Sequence, residues 1–192
     1  MFITFEGIDG SGKTTQVKLL KDWLNKKGCR VKVTEQPTKN METSEVLREH
    51  MKNPNTEPYV DALLFAADRA LHVERVILPA LRKGLTVICD RYIHSSIAYQ
   101  TSMGLDRDWV ISLNSLFPKP NLTIYLDISI ETAKKRINER GKELDKFEMA
   151  DFLKRVREEY LRLKSKRFIV IDGERSIEEV HKEIIGVVND FM

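Results

Sequence analysis

The chain has 192 residues, of which 42% are hydrophobic and 32% are charged, and this composition excludes a disordered chain. Its length predicts one domain and allows a proper hydrophobic core. The formal net charge of +3 comes from 32 basic and 29 acidic residues. Because the two signs are interleaved along the chain, the charge argues against a nucleic-acid polymer as a partner.

The apolar runs and the cysteines predict where the protein works. Runs such as residues 62–67 are far shorter than a membrane-spanning helix, so we expect no membrane partner. The N-terminus shows no export signal. Cys29 and Cys89 form no CxxC pair, which argues against a disulfide scaffold or a cysteine-based zinc site. We therefore expect a cytoplasmic protein.

The hydrophobic periodicity predicts five strands that alternate with helices. The first strand covers residues 2–5, and an amphipathic helix follows at 13–27 with Gly28 as its C-cap. Pro79 should kink a long helix at 58–82 or shift its last turn. The other predicted elements are a strand at 30–34, a helix at 41–51, a strand at 85–89, helices at 93–103 and 106–116, a strand at 122–126, a helix from the cap Ser129 to about 140, a helix at 145–164, a strand at 168–171 and a last helix capped by Ser176.

This alternation predicts an α/β fold in which right-handed crossovers build a five-stranded parallel sheet with helices on both faces. The sequence contains no internal repeat, low-complexity segment or break in composition, so residues 1–192 are expected to form a single domain. In such sheets, ligands bind at the carboxyl ends of the strands. The informative residues should therefore come just after strands.

A phosphate-binding motif follows the first strand directly. Residues 7–14, here called the phosphate loop, match G-x-x-x-x-G-K-[ST] between a predicted strand and a predicted helix. Glycines let successive backbone N–H groups surround a phosphate, and the helix adds its positive end. Lys13 should reach the β and γ phosphates, and the Thr14 hydroxyl should hold Mg²⁺. The motif predicts a three-layer P-loop NTPase fold, with a nucleoside triphosphate bound by Gly7, Ile8, Asp9, Gly10, Ser11, Gly12, Lys13, Thr14 and Thr15.

Two further strand ends carry acids that could organise Mg²⁺, Asp90 and Asp127. Arg91 follows Asp90 at once, and its planar guanidinium suits bidentate phosphate contacts. For Asp127, a structural role at the strand end is favoured over catalysis. The base-reading Asn-Lys-x-Asp motif of GTPase switches is absent from the sequence, whereas a mechanical ATPase or a regulatory switch stays open as an alternative.

A second small-molecule pocket would argue against such a switch. Phe65 and Arg69 are four residues apart on the long helix, so they share a face and could stack on and hydrogen-bond a nucleobase. Taken alone, a core phenylalanine and a surface arginine are the commoner outcome. Arg91, Ser95 and Tyr99 form a polar stripe at i, i+4 and i+8 that leads away from Asp90.

Residues 5–16, 64–69 and 90–100 together resemble the thymidylate kinase family, in order and spacing over nearly the whole chain. Many families share the phosphate loop, and the two later segments make the resemblance specific. It implies an enzyme that phosphorylates dTMP to dTDP with Mg-ATP for dTTP synthesis, and it implies a homodimer. The partners would be the small molecules dTMP and ATP.

The resemblance also implies roles for single residues. Phe65 would stack on thymine, Arg69 would donate to a thymine carbonyl, and Arg91 would hold the monophosphate. Asp90 would order Mg²⁺ or the acceptor, and Asp9 would bind the sugar 3′-hydroxyl. The remaining substrate residues would be Ser95 and Ser96 in the base pocket, Pro37, and Tyr99, which would exclude a ribose 2′-hydroxyl.

A lid is implied at about residues 138–148. Gly10 stands where another branch of the family has arginine, so the chain resembles the bacterial-like branch, whose arginines come from the lid. Arg140 would then act on the transferring group together with Lys13, Asp90 and Arg91, and Arg136 would lie near the adenine. Without the other motifs, this segment would read as a solvated charge run.

One segment departs from the family. Similar members read Thr-Arg-Glu-Pro-Gly-Gly after the second strand, whereas residues 34–39 read Thr-Glu-Gln-Pro-Thr-Lys. Glu35 and Gln36 replace the arginine and the acid, which calls the family's arginine contact to the acceptor phosphate into question. Lys39 could substitute as a point charge without bidentate geometry. Another nucleotide or a nucleoside as acceptor, and a nucleotide-binding switch, stay open as alternatives.

Overall fold

The computed structural model describes residues 1–53, 55–139, 150–163 and 165–192. The strands are β1 (Phe2–Glu6), β2 (Val31–Glu35), β3 (Thr86–Asp90), β4 (Leu122–Asp127) and β5 (Phe168–Asp172). The helices are α1 (Lys13–Lys26), α2 (Glu42–Lys52), α3 (Pro58–His72), α4 (Leu78–Arg82), α5 (Ile93–Ser102), α6 (Arg107–Leu113), α7 (Ile130–Asn138), α8 (Ala150–Leu161) and α9 (Ile177–Phe191).

All five strands run parallel in one sheet, in the order β2-β3-β1-β4-β5. In this register Phe5 of β1 lies opposite Asp90 of β3, and Glu6 lies opposite Tyr125 of β4. The carboxyl end of β1, from which the phosphate loop leaves, is thus flanked by the ends of β3 and β4. The predicted five-stranded parallel sheet is confirmed.

Helices cover both faces of this sheet, because alternate residues of its central strands are buried on opposite sides. Leu20 of α1 and Ile184 of α9 belong to the core on one face. On the other face, the rings of Tyr125 in β4 and Tyr160 in α8 stack with centroids 4.7 Å apart. Strands that are apolar on both faces follow from this three-layer arrangement.

The two predicted serine caps are confirmed. The Ser129 hydroxyl accepts a hydrogen bond from the Thr132 N–H at the start of α7. Ser176 accepts from the Glu179 N–H, while the Glu179 carboxylate accepts from the Ser176 N–H. This reciprocal pair satisfies two backbone donors that the first turn of α9 would otherwise leave free.

The long predicted helix at 58–82 is interrupted as Pro79 suggested. A π-helical turn, Val73–Ile77, separates α3 from α4, which has Pro79 in its first turn. Proline lacks the N–H that an α-helix needs, and a wider turn before it accommodates that loss. The apolar residues of this stretch differ in exposure: Ala66, Val73 and Ile77 are buried, whereas Tyr59 and Leu63 are about half exposed.

Two other helices end earlier than predicted. The helix predicted at 106–116 ends at Leu113, because residues 114–117 form turns ahead of Pro118. The helix predicted at 145–164 is described from Ala150 to Leu161, and residues 145–149 lie outside the described ranges. Among the described helices, none has the length and apolar content to cross a membrane.

Candidate active site

The phosphate loop adopts a conformation that depends on its glycines. Gly7 and Gly10 have φ angles of +147° and +83°. A Cβ atom on Gly10 would lie 2.9 Å from the Ala133 carbonyl oxygen of α7, and one on Gly7 would lie 2.8 Å from the Leu126 carbonyl oxygen. An arginine at position 10 would therefore clash with α7, which fits a chain that takes its arginines from elsewhere.

Lys13 lies against the phosphate loop at the first residue of α1. Its Nζ donates to the carbonyl oxygens of Gly7 and Ile8 at 3.0 and 3.1 Å, and lies 3.9 Å from Asp9 Oδ1. Burial, and then the positive charge of Arg91, lower the pKa of Lys13 to about 8. The two acceptors of its hydrogen bonds are uncharged carbonyl oxygens. An anionic phosphate would form a stronger hydrogen bond with the ammonium and would replace them.

The structure brings the two predicted metal ligands together. The Thr14 hydroxyl donates to Asp90 Oδ2 at 3.2 Å. The other carboxylate oxygen of Asp90 is buried and has no hydrogen-bond partner among the described residues. Magnesium prefers oxygen ligands and usually takes only one or two carboxylates, with phosphates and waters completing its shell. The donor set thus fits Mg²⁺.

Arg91 follows β3 in a backbone conformation that side chains seldom adopt, with φ at +66°. Its guanidinium donates to Asp9 Oδ1 at 2.6 Å and to the Ser95 hydroxyl at 3.3 Å. The same group lies over the Tyr99 ring, 5.2 Å from the ring centroid. Such backbone strain persists only where surrounding contacts impose it, and it gathers at functional sites.

Behind Arg91 lies Glu6, a residue without a predicted role. This carboxylate is fully buried and accepts hydrogen bonds from the Tyr92 N–H, the Ser95 hydroxyl and the Tyr160 hydroxyl at 2.9, 2.6 and 3.0 Å. Burial raises the pKa of Glu6. Ser95 donates to Glu6 and accepts from Arg91, so the buried acid orients the serine that holds the arginine. An acid that ends a buried strand was the available sequence signal.

A pocket beside the phosphate loop collects the predicted substrate residues. It is called here the first pocket, and α3, α5, the segment after β2 and the phosphate loop all contribute to it. The predicted residues that line it are Asp9, Pro37, Phe65, Arg69, Arg91, Ser95, Ser96 and Tyr99. Gln36, Met51, Tyr92 and Gln100 also line it, and these four were not predicted as substrate residues.

Arg69 is not a surface charge, because its side chain is 2% exposed. Its Nε donates to Gln36 Oε1 at 2.9 Å, and its terminal nitrogens donate to the Ser96 hydroxyl at 2.8 Å, the Tyr92 carbonyl at 3.3 Å and the Asn114 side-chain oxygen. A guanidinium has five N–H groups. Four of them are thus used within the described residues, and the side chain is fixed at the wall of the first pocket.

The atypical segment after β2 splits into an exposed and a buried part. Glu35 and Lys39 pair with each other at 2.6 Å, and their side chains are 47% and 70% exposed. Neither lines the first pocket. In this structure Lys39 is paired with Glu35 at the surface, and whether it contacts an acceptor phosphate in place of the family's arginine stays a prediction. Gln36 instead turns inward to Arg69.

A second pocket lies on the other side of the phosphate loop. Arg136 of α7 donates to the carbonyl oxygens of Gly10 and Gly173 at 3.2 and 3.3 Å, so it joins the phosphate loop to the segment after β5. Arg140, the other predicted lid arginine, lies outside the described residues. The residues that line the second pocket are Gly10, Ser11, Gly12, Thr15, Gln16, Arg136, Gly173, Arg175, Ile177 and Val180.

Asp127 has the structural role that the sequence favoured. Its two carboxylate oxygens accept from Nε and a terminal nitrogen of Arg157 at 2.6 and 2.8 Å. The Tyr125 hydroxyl donates to the same carboxylate at 3.1 Å. A bidentate ion pair uses both oxygens of Asp127, whereas one oxygen of Asp90 has no hydrogen-bond partner within the described ranges and can serve a metal ion.

Comparison with known proteins agrees with the geometry. The family model described as "Thymidylate kinase" matches residues 5–184. A "Probable thymidylate kinase" of Pyrococcus abyssi is 43% identical over 195 residues, which cover 97% of this chain and 95% of that protein. The protein of the same description in Pyrobaculum aerophilum is 44% identical over 188 residues, with 97% and 95% covered. The chain therefore belongs to the thymidylate kinase family and is a nucleoside monophosphate kinase.

Proposed function

We propose that this protein phosphorylates dTMP to dTDP, with ATP as the donor and Mg²⁺ as the metal ion. One observation carries the proposal: Asp9 and Arg91, at the wall of the first pocket, form an ion pair beside the phosphate loop. An acceptor nucleotide in this pocket would have its phosphate next to the donor's γ phosphate. The whole chain would act as one kinase domain, with a lid at about 138–148.

The chemistry of the first pocket suits a thymine base. Phe65 offers a ring for stacking, and one N–H of Arg69 is left for a carbonyl oxygen once its partners among the described residues are counted. Gln100 is 2% exposed, and its Oε1 has no partner in the described part of the chain. That oxygen can accept from a ring N–H. A base with a carbonyl beside an N–H fits both groups.

Catalysis would consist of positioning and electrostatic stabilisation, because phosphoryl transfer needs little covalent chemistry from the protein. Lys13 and Arg91 would spread the charge of the transferring group, and Arg140 would add to it from the lid. Asp9 would keep Arg91 in place and bind the sugar hydroxyl. Thr14 and Asp90 would hold Mg²⁺, which when bound neutralises phosphate charge.

Location and assembly complete the proposal. Both cysteines are free, and Cys89 is buried, which suits the reducing cytoplasm that we propose. We also propose a homodimer, whose interface would bury the half-exposed side chains of Tyr59 and Leu63 on α3. Light scattering measures the mass of the assembly directly.

An ADP-release assay coupled to a reporter enzyme tests the function, with dTMP, dUMP, dGMP, dAMP and shikimate as acceptors. We expect dTMP to give the highest kcat/KM. A regulatory switch would instead bind ATP tightly and transfer almost no phosphate to any of the five. ADP production that does not depend on dTMP would contradict the proposal.

Replacing Phe65 with alanine should weaken dTMP binding by roughly 10- to 100-fold, because stacking of a base on an aromatic ring is worth about 1–3 kcal/mol. The affinity for ATP should change by less than about twofold, since Phe65 does not line the second pocket. Calorimetry with each nucleotide measures both. Trp109→Ala is the control, because Trp109 is an exposed aromatic residue that lies outside the first pocket. Equal losses for dTMP and ATP would reduce Phe65 to a core residue.

Removing the Tyr99 ring should relax the discrimination against ribose. Tyr99→Ala should raise kcat/KM for the ribonucleotide analogue relative to dTMP by roughly tenfold, because the space for a 2′-hydroxyl opens. Absolute activity should fall, since Arg91 loses the ring beneath it. Tyr99→Phe keeps the ring and should keep the ratio. An unchanged ratio in Tyr99→Ala would rule out the steric role.

A further inference from the structure

We propose that Gln36 and His72 are positioning residues that hold Arg69 at the first pocket with its positive charge unneutralised. The inference rests on the proposed function, because it assigns to Arg69 a carbonyl of the acceptor base. It gives the atypical glutamine of this chain a role in recognition. Neither residue needs to touch the substrate for this role.

A chain of buried hydrogen bonds leads from β2 to Arg69. The Thr34 hydroxyl lies 2.6 Å from His72 Nε2, and His72 Nδ1 lies 3.0 Å from Gln36 Nε2. Gln36 Oε1 then accepts from Arg69 Nε at 2.9 Å. Gln36, His72 and Arg69 are 6%, 1% and 2% exposed. Water therefore has little access to the three side chains.

Only one arrangement of protons satisfies every hydrogen bond between Thr34, His72, Gln36 and Arg69. Arg69 Nε can only donate, so the oxygen of the Gln36 amide must face it. The amide nitrogen then faces His72 Nδ1, which must accept, and the ring proton must sit on Nε2 and point to Thr34. A neutral histidine with its proton on Nε2 thus fixes the orientation of the amide, and the amide fixes the guanidinium.

Burial is the main reason that His72 stays neutral. Burial, followed by the positive charges of Arg69 and Lys32, lowers its pKa to about 4, against the opposite effect of Asp68. A histidine whose pKa is lowered gains its charge only as the pH falls through the lowered value. The arrangement should therefore hold throughout the range from pH 5.5 to 8.

The partners of Arg69 in the described part of the chain are all uncharged: the side-chain oxygens of Gln36, Asn114 and Ser96 and the carbonyl of Tyr92. A carboxylate at position 36 would keep the hydrogen bond but would offset the charge. Hydrogen bonds from an ionised donor are roughly twice as strong as neutral ones. Arg69 stays ionised beside either residue, but the neutral amide does not offset its charge as a carboxylate would, so Arg69 donates more strongly to a ligand carbonyl.

The first test uses the wild-type protein without nucleotide. Nitrogen-15 NMR of the imidazole should show His72 neutral, with its proton on Nε2, from pH 5.5 to 8. A charged His72 within this range, or a proton on Nδ1, would overturn the proposal. This measurement needs neither a variant nor catalytic activity.

The second test is Gln36→Glu. Its carboxylate would face the lone pair of His72 Nδ1, so the pKa of His72 should rise by roughly 1–3 units. The Kd for dTMP should rise roughly tenfold at pH 8, because the new carboxylate would offset the charge of Arg69, and should become pH-dependent below that. Glu35→Gln, the neighbouring exposed position, is the matched control and should change neither quantity.

A His72 pKa and a dTMP affinity in Gln36→Glu equal to those of the wild type would overturn the proposal. Failure of the proposed function looks different: the wild-type protein would then not bind dTMP at all, while the NMR titration of His72 would still decide whether the hydrogen-bond chain exists. Should Gln36→Glu not fold, the wild-type tautomer remains the deciding observation.

Discussion

Replacing Lys13 with methionine should lower kcat by about 10²-fold or more, and it should leave the affinity for dTMP nearly unchanged. Methionine keeps most of the length of the side chain and removes its charge. The lost charge matters because stabilisation of developing charge at a prearranged site is worth this much in other enzymes. Steady-state kinetics with dTMP and ATP, together with calorimetry for dTMP, measure the two quantities.

The pH profile gives this prediction a second readout. The pKa of Lys13 is lowered to about 8 in the nucleotide-free protein, chiefly by burial. The ammonium should therefore lose its proton as the pH rises through 8, and kcat/KM for ATP should fall above that pH. Bound phosphates favour the charged form, so kcat should hold to higher pH. A profile for kcat/KM that stays flat to pH 9.5 would contradict the assignment.

The control for Lys13→Met is its melting curve. Among the described residues, the hydrogen bonds of Lys13 Nζ go only to the carbonyls of Gly7 and Ile8 in the phosphate loop, so cooperative unfolding should persist. A folded variant with kcat within fivefold of the wild type would show that Lys13 does not act on the transferring group.

The sheet and the phosphate loop were predictable because their signals are local. β1 is apolar at three of its five positions and buried at all five, and the glycines of the phosphate loop stand at the spacing that its backbone requires. The caps at Ser129 and Ser176 are equally local, since each hydroxyl binds an N–H three residues away. Such features need no knowledge of the rest of the fold.

The residues that the sequence did not reveal depend on long-range contacts. Glu6 meets Tyr160, which is 154 positions away, and Gln36 meets Arg69, 33 positions away. Glutamate and glutamine are mostly exposed in proteins, and no periodic pattern marks the ones that turn inward. Their roles follow only after the strands and helices have been assembled.

The different roles of Asp90 and Asp127 also depend on long-range contacts that the sequence does not reveal. Both end an apolar strand, and their sequence contexts are alike. Arg157 of α8 occupies both oxygens of Asp127, whereas Thr14 leaves one oxygen of Asp90 free within the described residues. The distinction is therefore made by a helix that lies some thirty residues further along the chain than Asp127.

Arg91→Lys should lower kcat/KM for dTMP by about 10²-fold although the charge is kept. Two nitrogens of Arg91 contact two different residues, Asp9 and Ser95, and a single ammonium cannot reproduce this geometry or bind a phosphate in bidentate fashion. The backbone strain at this position, with φ at +66°, applies equally to lysine, so it cancels from the comparison. Steady-state kinetics of the two proteins measure the loss.

Binding of thymidine, the nucleoside, tells whether Arg91 binds the acceptor phosphate or only keeps the pocket residues in place. Thymidine has no phosphate, so Arg91→Lys should weaken dTMP binding by at least tenfold more than thymidine binding. Arg75→Lys is the matched control, because Arg75 forms an exposed ion pair with Glu42 and does not line the first pocket. Equal losses for dTMP and thymidine would mean that Arg91 holds Asp9 and Ser95 in place rather than the acceptor phosphate. The ion pair between Arg91 and Asp9 would then be part of the pocket wall, and the acceptor phosphate would need another cation.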